Sequence, residues 1–409
     1  MKKTGLVVPE ILLPNTTDYS AWACIACDQF TSEIEYWREL ESKVSGKKTT
    51  LDLVLPEIYL DDKTEERIEV VNANIKKYIE SGVFKTLKKG FVLTVRSTPF
   101  VERRIGLVGA IDLEEYQYSQ KSSALIRSTE GTIEERIPPR LKIRKNADVE
   151  FPHVMILFDD ENREITEKLY ENRNSLEKLY DFDLNMGGGH ISGYFVPDYE
   201  NVLNAFSNLL NEDRLIKKYG FNDEFAFAVG DGNHSLATAK AHWEVIKKTL
   251  NDAEKETHPA RYALAEFVNI YDEGIYFEPI FRFINNVNRA DFIKGLTETV
   301  KGDYQVFDGE STTDYKVGTA LPDSIRSVDA YIKEYIEKNG GVVDYVHGES
   351  NLEKLVKDNA NSVGVLFDKL DKADLFKYVS NKGAFPRKTF SMGEGVEKRY
   401  YLEGRRITK

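Results

Sequence analysis

Strand-like and helix-like hydrophobic patterns alternate along nearly the whole chain, and this alternation is the strongest constraint on the fold. Short apolar runs typical of buried strands lie at 91–97, 104–113, 153–160, 261–271, 342–348 and 362–370. Apolar residues at helical spacing lie at 31–44, 64–82, 164–182, 199–220 and 324–341. The proline-broken, polar stretch 126–147 is expected to be irregular. The sequence therefore predicts a mixed α/β protein.

Charge and length limit the classes of function and the domain organisation. The 409 residues include 56 Lys and Arg against 68 Asp and Glu, a net charge of −12, which argues against a nucleic-acid partner. No apolar run approaches the roughly 20 residues that span a bilayer, so we expect no membrane partner and a cytoplasmic location. Length suggests two or more domains, and we expect a core region at 1–285 and a C-terminal α/β region at 286–409. Self-association into a homo-oligomer stays open.

Cys24 and Cys27 form a single C-x-x-C pair. Zinc would need further ligands, and the neighbouring sequence lacks the context of a thioredoxin-like redox motif. We therefore expect two buried, reduced thiols, and we keep Asp28 from this stretch as a pocket candidate.

The stretch GDGNHS, residues 230–235, places polar residues between a buried strand and an amphipathic helix. Leu236, Ala239 and Trp243 set the phase of that helix, which makes Asn233 or Ser235 the expected N-cap. A helix start offers free N–H groups and a positive dipole end, which favours an anion such as phosphate. The stretch is neither a Walker A loop nor a dinucleotide fingerprint, because the required lysine and third glycine are missing. The candidate residues are Gly230, Asp231, Gly232, Asn233, His234 and Ser235.

Further candidates lie at a distance in sequence. Arginine binds phosphate in a bidentate manner, and an acid among arginines could hold Mg²⁺ or accept a hydroxyl proton. On this basis the additional phosphate-binding and pocket candidates are Arg127, Glu130, Thr132, Arg136, Arg140, His190, Glu278, Arg282 and Lys388.

Three motifs resemble a known protein family. AVGDGNHSLATAK, RYALAEFVNIYDEGIYFEPIFRF and FPRKTFSMGEGVEKRYYLEGRRI are similar to the family catalogued as domain of unknown function 1015. Its D-G-H-H-R motif in turn resembles the phosphate-binding motif of the ParB/sulfiredoxin-like superfamily. That superfamily includes CTP-binding partition proteins, ATP-dependent sulfiredoxins and free-serine kinases. Asp231, Gly232 and His234 match the motif, whereas Asn233 replaces a histidine and Ser235 replaces the arginine.

The resemblance implies a ParB/sulfiredoxin-like core with α/β elaborations and a phosphotransferase, with free L-serine as the best substrate candidate. Glu130 or Asp231 would accept the hydroxyl proton and hold Mg²⁺, His234 would help bind the phosphates, and ATP, ADP or pyrophosphate would be the donor. Two alternatives stay open: a ParB-like nucleotide sensor without chemistry, and a phosphomonoester hydrolase acting on phosphoserine.

Overall fold

The computed structural model describes residues 1–61, 63–132, 135, 137–151 and 153–409. The chain divides into two compact units. Unit 1 comprises Met1–Ile275 together with Glu394–Lys409, and unit 2 comprises Tyr276–Gly393. The last sixteen residues of the chain therefore return to the first unit.

Helices occur in both units. In the described part of the chain the α-helices are α1 Tyr19–Trp22, α2 Ile34–Val44, α3 Thr64–Glu80, α4 Ile137–Lys145, α5 Thr166–Glu171, α6 Tyr199–Leu209, α7 Glu212–Tyr219, α8 Asn233–Ile246, α9 Asp252–Thr257, α10 Arg289–Thr299, α11 Leu321–Asn339, α12 Glu349–Asp358 and α13 Asp374–Lys382. None of the helices in the described ranges is long and apolar enough to cross a membrane.

The strands are mostly short. They are β1 Leu6–Val7, β2 Leu12–Pro14, β3 Cys24–Ile25, β4 Phe84–Thr86, β5 Phe91–Ser97, β6 Arg104–Asp112, β7 Tyr116–Gln117, β8 Ile126–Ser128, β9 Val149–Glu150, β10 Met155–Phe158, β11 Glu177–Asp183, β12 His190–Val196, β13 Phe227–Asp231, β14 Tyr262–Asn269, β15 Phe277–Asn285, β16 Tyr304–Phe307, β17 Thr312–Tyr315, β18 Val342–His347, β19 Ser362–Leu366, β20 Phe390–Met392, β21 Tyr400–Tyr401 and β22 Arg405–Arg406.

The main sheet of unit 1 has the order β11-β12-β5-β6-β14-β10-β13-β8-β7, with β1 against β6. Strands β8 and β13 are parallel, and β10 runs antiparallel to β13. The carboxyl ends of β8 and β13 therefore meet at one edge of the sheet, where β10 begins. This edge carries the residues of the candidate site.

Both faces of the sheet are buried. Val92 and Val108 belong to one hydrophobic core with Trp22, whereas their neighbours Leu93 and Leu107 belong to a second core that includes Trp243, Phe206 and Phe267. Successive residues of a strand point to opposite faces, so a nearly continuous apolar run such as 91–95 contributes side chains to both cores.

Unit 2 is an antiparallel sheet in the order β17-β16-β19-β15-β18, with β20 against the start of β15. Ile284 of β15 joins the core formed with α10 and α11. Phe281 and Phe283 contribute to the core formed with α12. Arg282 between them is fully buried and binds Asp329 through Nε and Nη2 at 2.8 and 2.7 Å.

The mixed α/β class predicted from the sequence is confirmed, while three local predictions were wrong. Residues 164–182 contain the short helix α5 and most of strand β11 instead of one helix, because β11 pairs along its length with β12. Residues 126–147 contain β8 and α4; Pro138 and Pro139 lie in the first turn of α4, where a missing N–H costs little. Residues 199–220 form two helices, because Asn211 caps the start of α7.

A buried arginine attaches the C-terminal segment to the main sheet. Arg399 binds Glu266 of β14 at 2.9 Å and Glu403 at 2.5 Å, and all three side chains are at most 5% exposed. Strand β21 pairs with β3, and β22 pairs with β9. The segment 394–409 is thus an integral part of unit 1.

Replacing Arg399 by methionine should destabilise the protein strongly. Arg399→Met would leave Glu266 and Glu403 buried without their cation, which typically costs about 3–5 kcal/mol. Arg38→Met is the control, because Arg38 and Glu35 form an exposed pair whose loss costs about 0.5 kcal/mol or less. Urea unfolding followed by circular dichroism measures both free energies. Equal, small losses would contradict the assigned role of Arg399.

Acid should remove part of this stability. Although burial opposes ionisation of Glu266, Arg399 lowers its pKa from an ordinary value of 4.5 to about 2. A carboxylate whose pKa is lower in the folded state stabilises the fold above its unfolded pKa. That contribution should therefore be complete above pH 4.5 and decrease as the pH falls towards 2. The unfolding free energy of Arg399→Met should vary less over this range, and an unchanged slope would contradict the assignment.

Candidate functional site

The turn from β13 to α8 depends on a glycine in a left-handed conformation. Gly232 has φ +80° and precedes the first helical residue, Asn233. Its own N–H donates to Oδ1 of Asp231 at 2.8 Å. The expected N-cap was therefore wrong: the helix starts two residues before Ser235, because Gly232 adopts a backbone conformation that other residues rarely do. The N-cap residue Gly232 has no side chain with which to cap the helix, and the first turn of α8 lies at this edge of the sheet.

Strand β8 lies beside this turn and is connected to it by side chains. The hydroxyl of Ser128 donates to Oδ1 of Asn233 at 2.7 Å, and the hydroxyl of Thr129 donates to the carbonyl of Val229 at 2.6 Å. Ser128 is in register with Val229. Glu130 lies two residues after Ser128, and Asp231 lies two residues after Val229, so both follow at the same edge. Both acids selected from the sequence therefore lie at or just after the ends of strands at this edge.

A lysine from the C-terminal segment completes this edge, and the sequence analysis missed it. Nζ of Lys398 lies 3.2 Å from Oδ2 of Asp231, and the lysine side chain is only 14% exposed. We refer to residues 230–235 together with Glu130 and Lys398 as the edge site. It combines a helix start, two carboxylates and a cation. His234 and Ser235, in the first turn, are half-buried.

Two buried arginines fix the backbone that carries Lys398. Arg96 donates to the carbonyls of Val396, Glu397 and Lys398 at 2.7, 3.0 and 2.7 Å. Arg104 donates to the carbonyl of Glu397 at 3.1 Å. Carbonyl oxygens that would otherwise be buried without donors are satisfied in this way. The position of Lys398 is therefore built into the core of the unit.

Asp28 pairs with a buried histidine near the edge site. Nε2 of His153 lies 3.5 Å from Oδ2 of Asp28, and Nδ1 lies 3.1 Å from the hydroxyl of Tyr401. Although burial disfavours the imidazolium, Asp28 raises the pKa of His153, and Asp231 adds to this effect. His153 in turn holds the pKa of Asp28 below its usual range despite burial. His153 was not among the candidates selected from the sequence.

The cysteines adjoin this pair; Cys24 is buried as expected, whereas Cys27 is half-buried. Neither cysteine forms a disulfide. The Tyr401 hydroxyl donates to Sγ of Cys27 at 2.9 Å. Burial raises the pKa of Cys24 to about 12 and also raises the pKa of Cys27. Thiols with raised pKa values are poor nucleophiles at neutral pH.

The other unit 1 candidates lie in ion pairs or beyond the described ranges. Both terminal nitrogens of Arg127 bind Asp223 at 2.6 Å, and its Nε donates to the carbonyl of Ala124. Arg140 binds Glu57. Thr132 is half-buried. Arg136 falls outside the described residues.

The remaining candidates lie elsewhere. His190 binds Asp181 and Asp183 at 2.7 Å across the hairpin β11–β12. In unit 2, Glu278 lies 3.6 Å from Lys369, and the carbonyl of Lys388 accepts a hydrogen bond from Arg282 at 2.8 Å. All three guanidinium nitrogens of Arg282 are already engaged within this unit.

Within the described ranges, no group of three or more His, Cys, Asp or Glu side chains could hold a metal ion. The edge site contains two carboxylates. Mg²⁺ is often bound by one or two protein carboxylates and completes its shell with phosphate oxygens and water. The residues present therefore fit Mg²⁺ that arrives with a phosphorylated ligand.

The family model of the protein of unknown function DUF1015 matches residues 11–373. The chain belongs to this family. The matched range includes GDGNHS and ends before Lys398 and Arg399. No curated protein sequence matches the chain.

Several solved structures are similar to it at low identity. A conserved hypothetical protein from Pyrococcus furiosus is 9% identical, with a TM-score of 0.35 over 73% of this chain and 94% of that protein. Free serine kinase in complex with AMP is 7% identical, with a TM-score of 0.39 over 73% and 91%. SbnI with a C-terminal truncation, from Staphylococcus aureus, is 9% identical, with a TM-score of 0.36 over 70% and 82%.

Adding a side chain at Gly232 should disturb the edge site. A Cβ there would lie 3.0 Å from Cα and 3.1 Å from Cγ2 of Val154. Gly232→Ala should therefore cost the left-handed strain of about 1–2 kcal/mol and a packing cost of about 1–3 kcal/mol. Gly220→Ala is the matched control, because Gly220 has φ +86° and nothing within 4 Å of the added Cβ. Equal unfolding free energies of the two variants would contradict the close contact with Val154.

Proposed function

We propose that the protein is a phosphotransferase that moves a phosphoryl group from ATP, ADP or pyrophosphate to the hydroxyl of a small molecule. Free L-serine, giving O-phosphoserine, is the first acceptor to test. The observation that supports this proposal is the edge site itself. An uncapped helix start lies beside two carboxylates and a lysine.

The parts of the edge site suit the two halves of such a reaction. The N–H groups and dipole of α8 favour the negative oxygens of a phosphate. A carboxylate at hydrogen-bond distance from an acceptor hydroxyl can take its proton, which typically contributes 10²–10⁴-fold to the rate. Asp231 and Glu130 are the two carboxylates at this edge. His234 is placed in the first turn of the same helix.

With ATP as donor, one bond forms and one bond breaks at the γ-phosphorus. The acceptor oxygen forms a bond to the γ-phosphorus, and the bond from that phosphorus to the bridging oxygen of ADP breaks. ADP leaves with the electron pair, and the hydroxyl proton passes to Asp231 or Glu130. With ADP or pyrophosphate as donor, AMP or phosphate leaves in the same way. Mg²⁺ bound with the donor would neutralise charge on the phosphate oxygens, and whichever of Asp231 and Glu130 does not take the proton would hold it.

The two alternatives use the same edge site and differ only in outcome. A sensor would bind a nucleotide and release it unchanged. A hydrolase would release phosphate from phosphoserine. Product analysis therefore separates all three functions.

Phosphorus NMR of the purified protein with serine, Mg²⁺ and each of the three donors should show O-phosphoserine. Asp231→Asn should lower the rate about 10²–10⁴-fold if Asp231 is the base, and Glu130→Gln tests the other carboxylate. Asp18→Asn is the matched control, because Asp18 also pairs with a lysine, Lys47, and accepts a backbone N–H.

If none of the donors yields phosphoserine, the kinase proposal for serine is wrong. Retained nucleotide binding without turnover would then favour the sensor. Release of phosphate from added phosphoserine would favour the hydrolase.

A further inference from the structure

We propose that Lys398 is the phosphate-binding cation of the edge site, and that it exchanges Asp231 for a phosphate oxygen when the ligand binds. The proposal rests on the proposed function for the identity of the ligand. It goes further by assigning a residue outside the range matched by the family model and a change of partner on binding.

The charges at the start of α8 favour such an exchange. A free Asp231 carboxylate at the helix start would repel an incoming phosphate, and Lys398 at 3.2 Å compensates that charge. Transfer of Lys398 from Asp231 to the phosphate would attract the ligand and leave the Asp231 carboxylate open to the acceptor hydroxyl.

Other cations of unit 1 are already held by partners of their own. Arg127 is bound to Asp223, Arg140 to Glu57, and Lys240 to Glu244 and the carbonyl of Leu113. Ser235 brings no charge to the first turn of α8. Among the cations of the described residues, Lys398 is the one that forms an ion pair with the candidate base Asp231.

The backbone of Lys398 is fixed, whereas its ammonium group can move. The carbonyls of residues 396–398 are fixed by Arg96 and Arg104, so the backbone of Lys398 stays in place. The ammonium group is carried on a flexible four-carbon chain and binds as a point charge. A fixed anchor with a movable end group suits an exchange between two anions that lie close together.

Calorimetric titration with ADP and with pyrophosphate in EDTA tests the assignment without Mg²⁺ and without turnover. Lys398→Met should weaken both affinities about 10–100-fold, in the range of a charge-assisted hydrogen bond, and Lys398→Arg should retain most of the binding. Lys218→Met is the matched control. Lys218 is also a poorly exposed lysine, 16%, and it binds Asp159 beyond the opposite end of β10. Circular dichroism shows whether each variant is folded.

Two further variants distinguish a ligand contact from a structural ion pair. Asp231→Asn should bind ADP in EDTA as tightly as the wild type or more tightly, because Lys398 loses its competing partner. Ser235→Arg, which places a cation in the first turn of α8, should restore part of the binding lost in Lys398→Met. If the Lys398–Asp231 pair is purely structural, Lys398→Met and Asp231→Asn should weaken binding equally, and Ser235→Arg should restore no binding.

The proposal is overturned if Lys398→Met binds ADP and pyrophosphate like the wild type, if Asp231→Asn is as weak as Lys398→Met, or if the wild type binds neither probe. Binding that depends on Lys398 without any phosphoserine would contradict the kinase and leave this assignment in place. The two proposals therefore fail separately.

Discussion

The buried contact of Arg399 with Glu266 and Glu403 is the interaction on which the geometry of the site depends. It attaches residues 394–409 to the centre of the main sheet. The preceding residue, Lys398, is thereby directed towards Asp231. Arg96 and Arg104 add hydrogen bonds to the backbone carbonyls of Glu397 and Lys398. A charge that lies 167 residues from Asp231 in sequence is thus placed by three arginines of the core.

The edge of the sheet brings opposing charges together at low exposure. Asp231 faces Lys398, and Asp28 faces His153. Each acid has a basic partner, and the raised pKa of His153 reflects both Asp28 and Asp231. Burial makes an unpaired charge costly, so a change at one member of the set alters the others. Such coupling is useful at a site where a ligand with several negative charges must bind and leave.

The sequence predicted the fold class and the change from a strand to a helix at residues 230–235, because both depend on local patterns. The apolar run before Gly230 and the spacing of Leu236, Ala239 and Trp243 are enough to place a strand and a helix. Residues 164–182 were misread because Leu, Glu and Lys favour a helix, whereas pairing with β12 decides their structure. Lys398 and His153 were missed because their roles depend on contacts distant in sequence. Arg127 and Arg282 could bind a phosphate by their side-chain type, but only the structure shows that each is paired with a half-buried aspartate.

A crystal structure of the protein with ADP and without Mg²⁺ tests the central claim most directly. We expect density for the phosphates at the N–H groups of the first turn of α8, with Nζ of Lys398 within hydrogen-bond distance of a phosphate oxygen and no longer bound to Asp231. Phosphates bound elsewhere, or at this helix start with the Lys398–Asp231 pair intact, would contradict it.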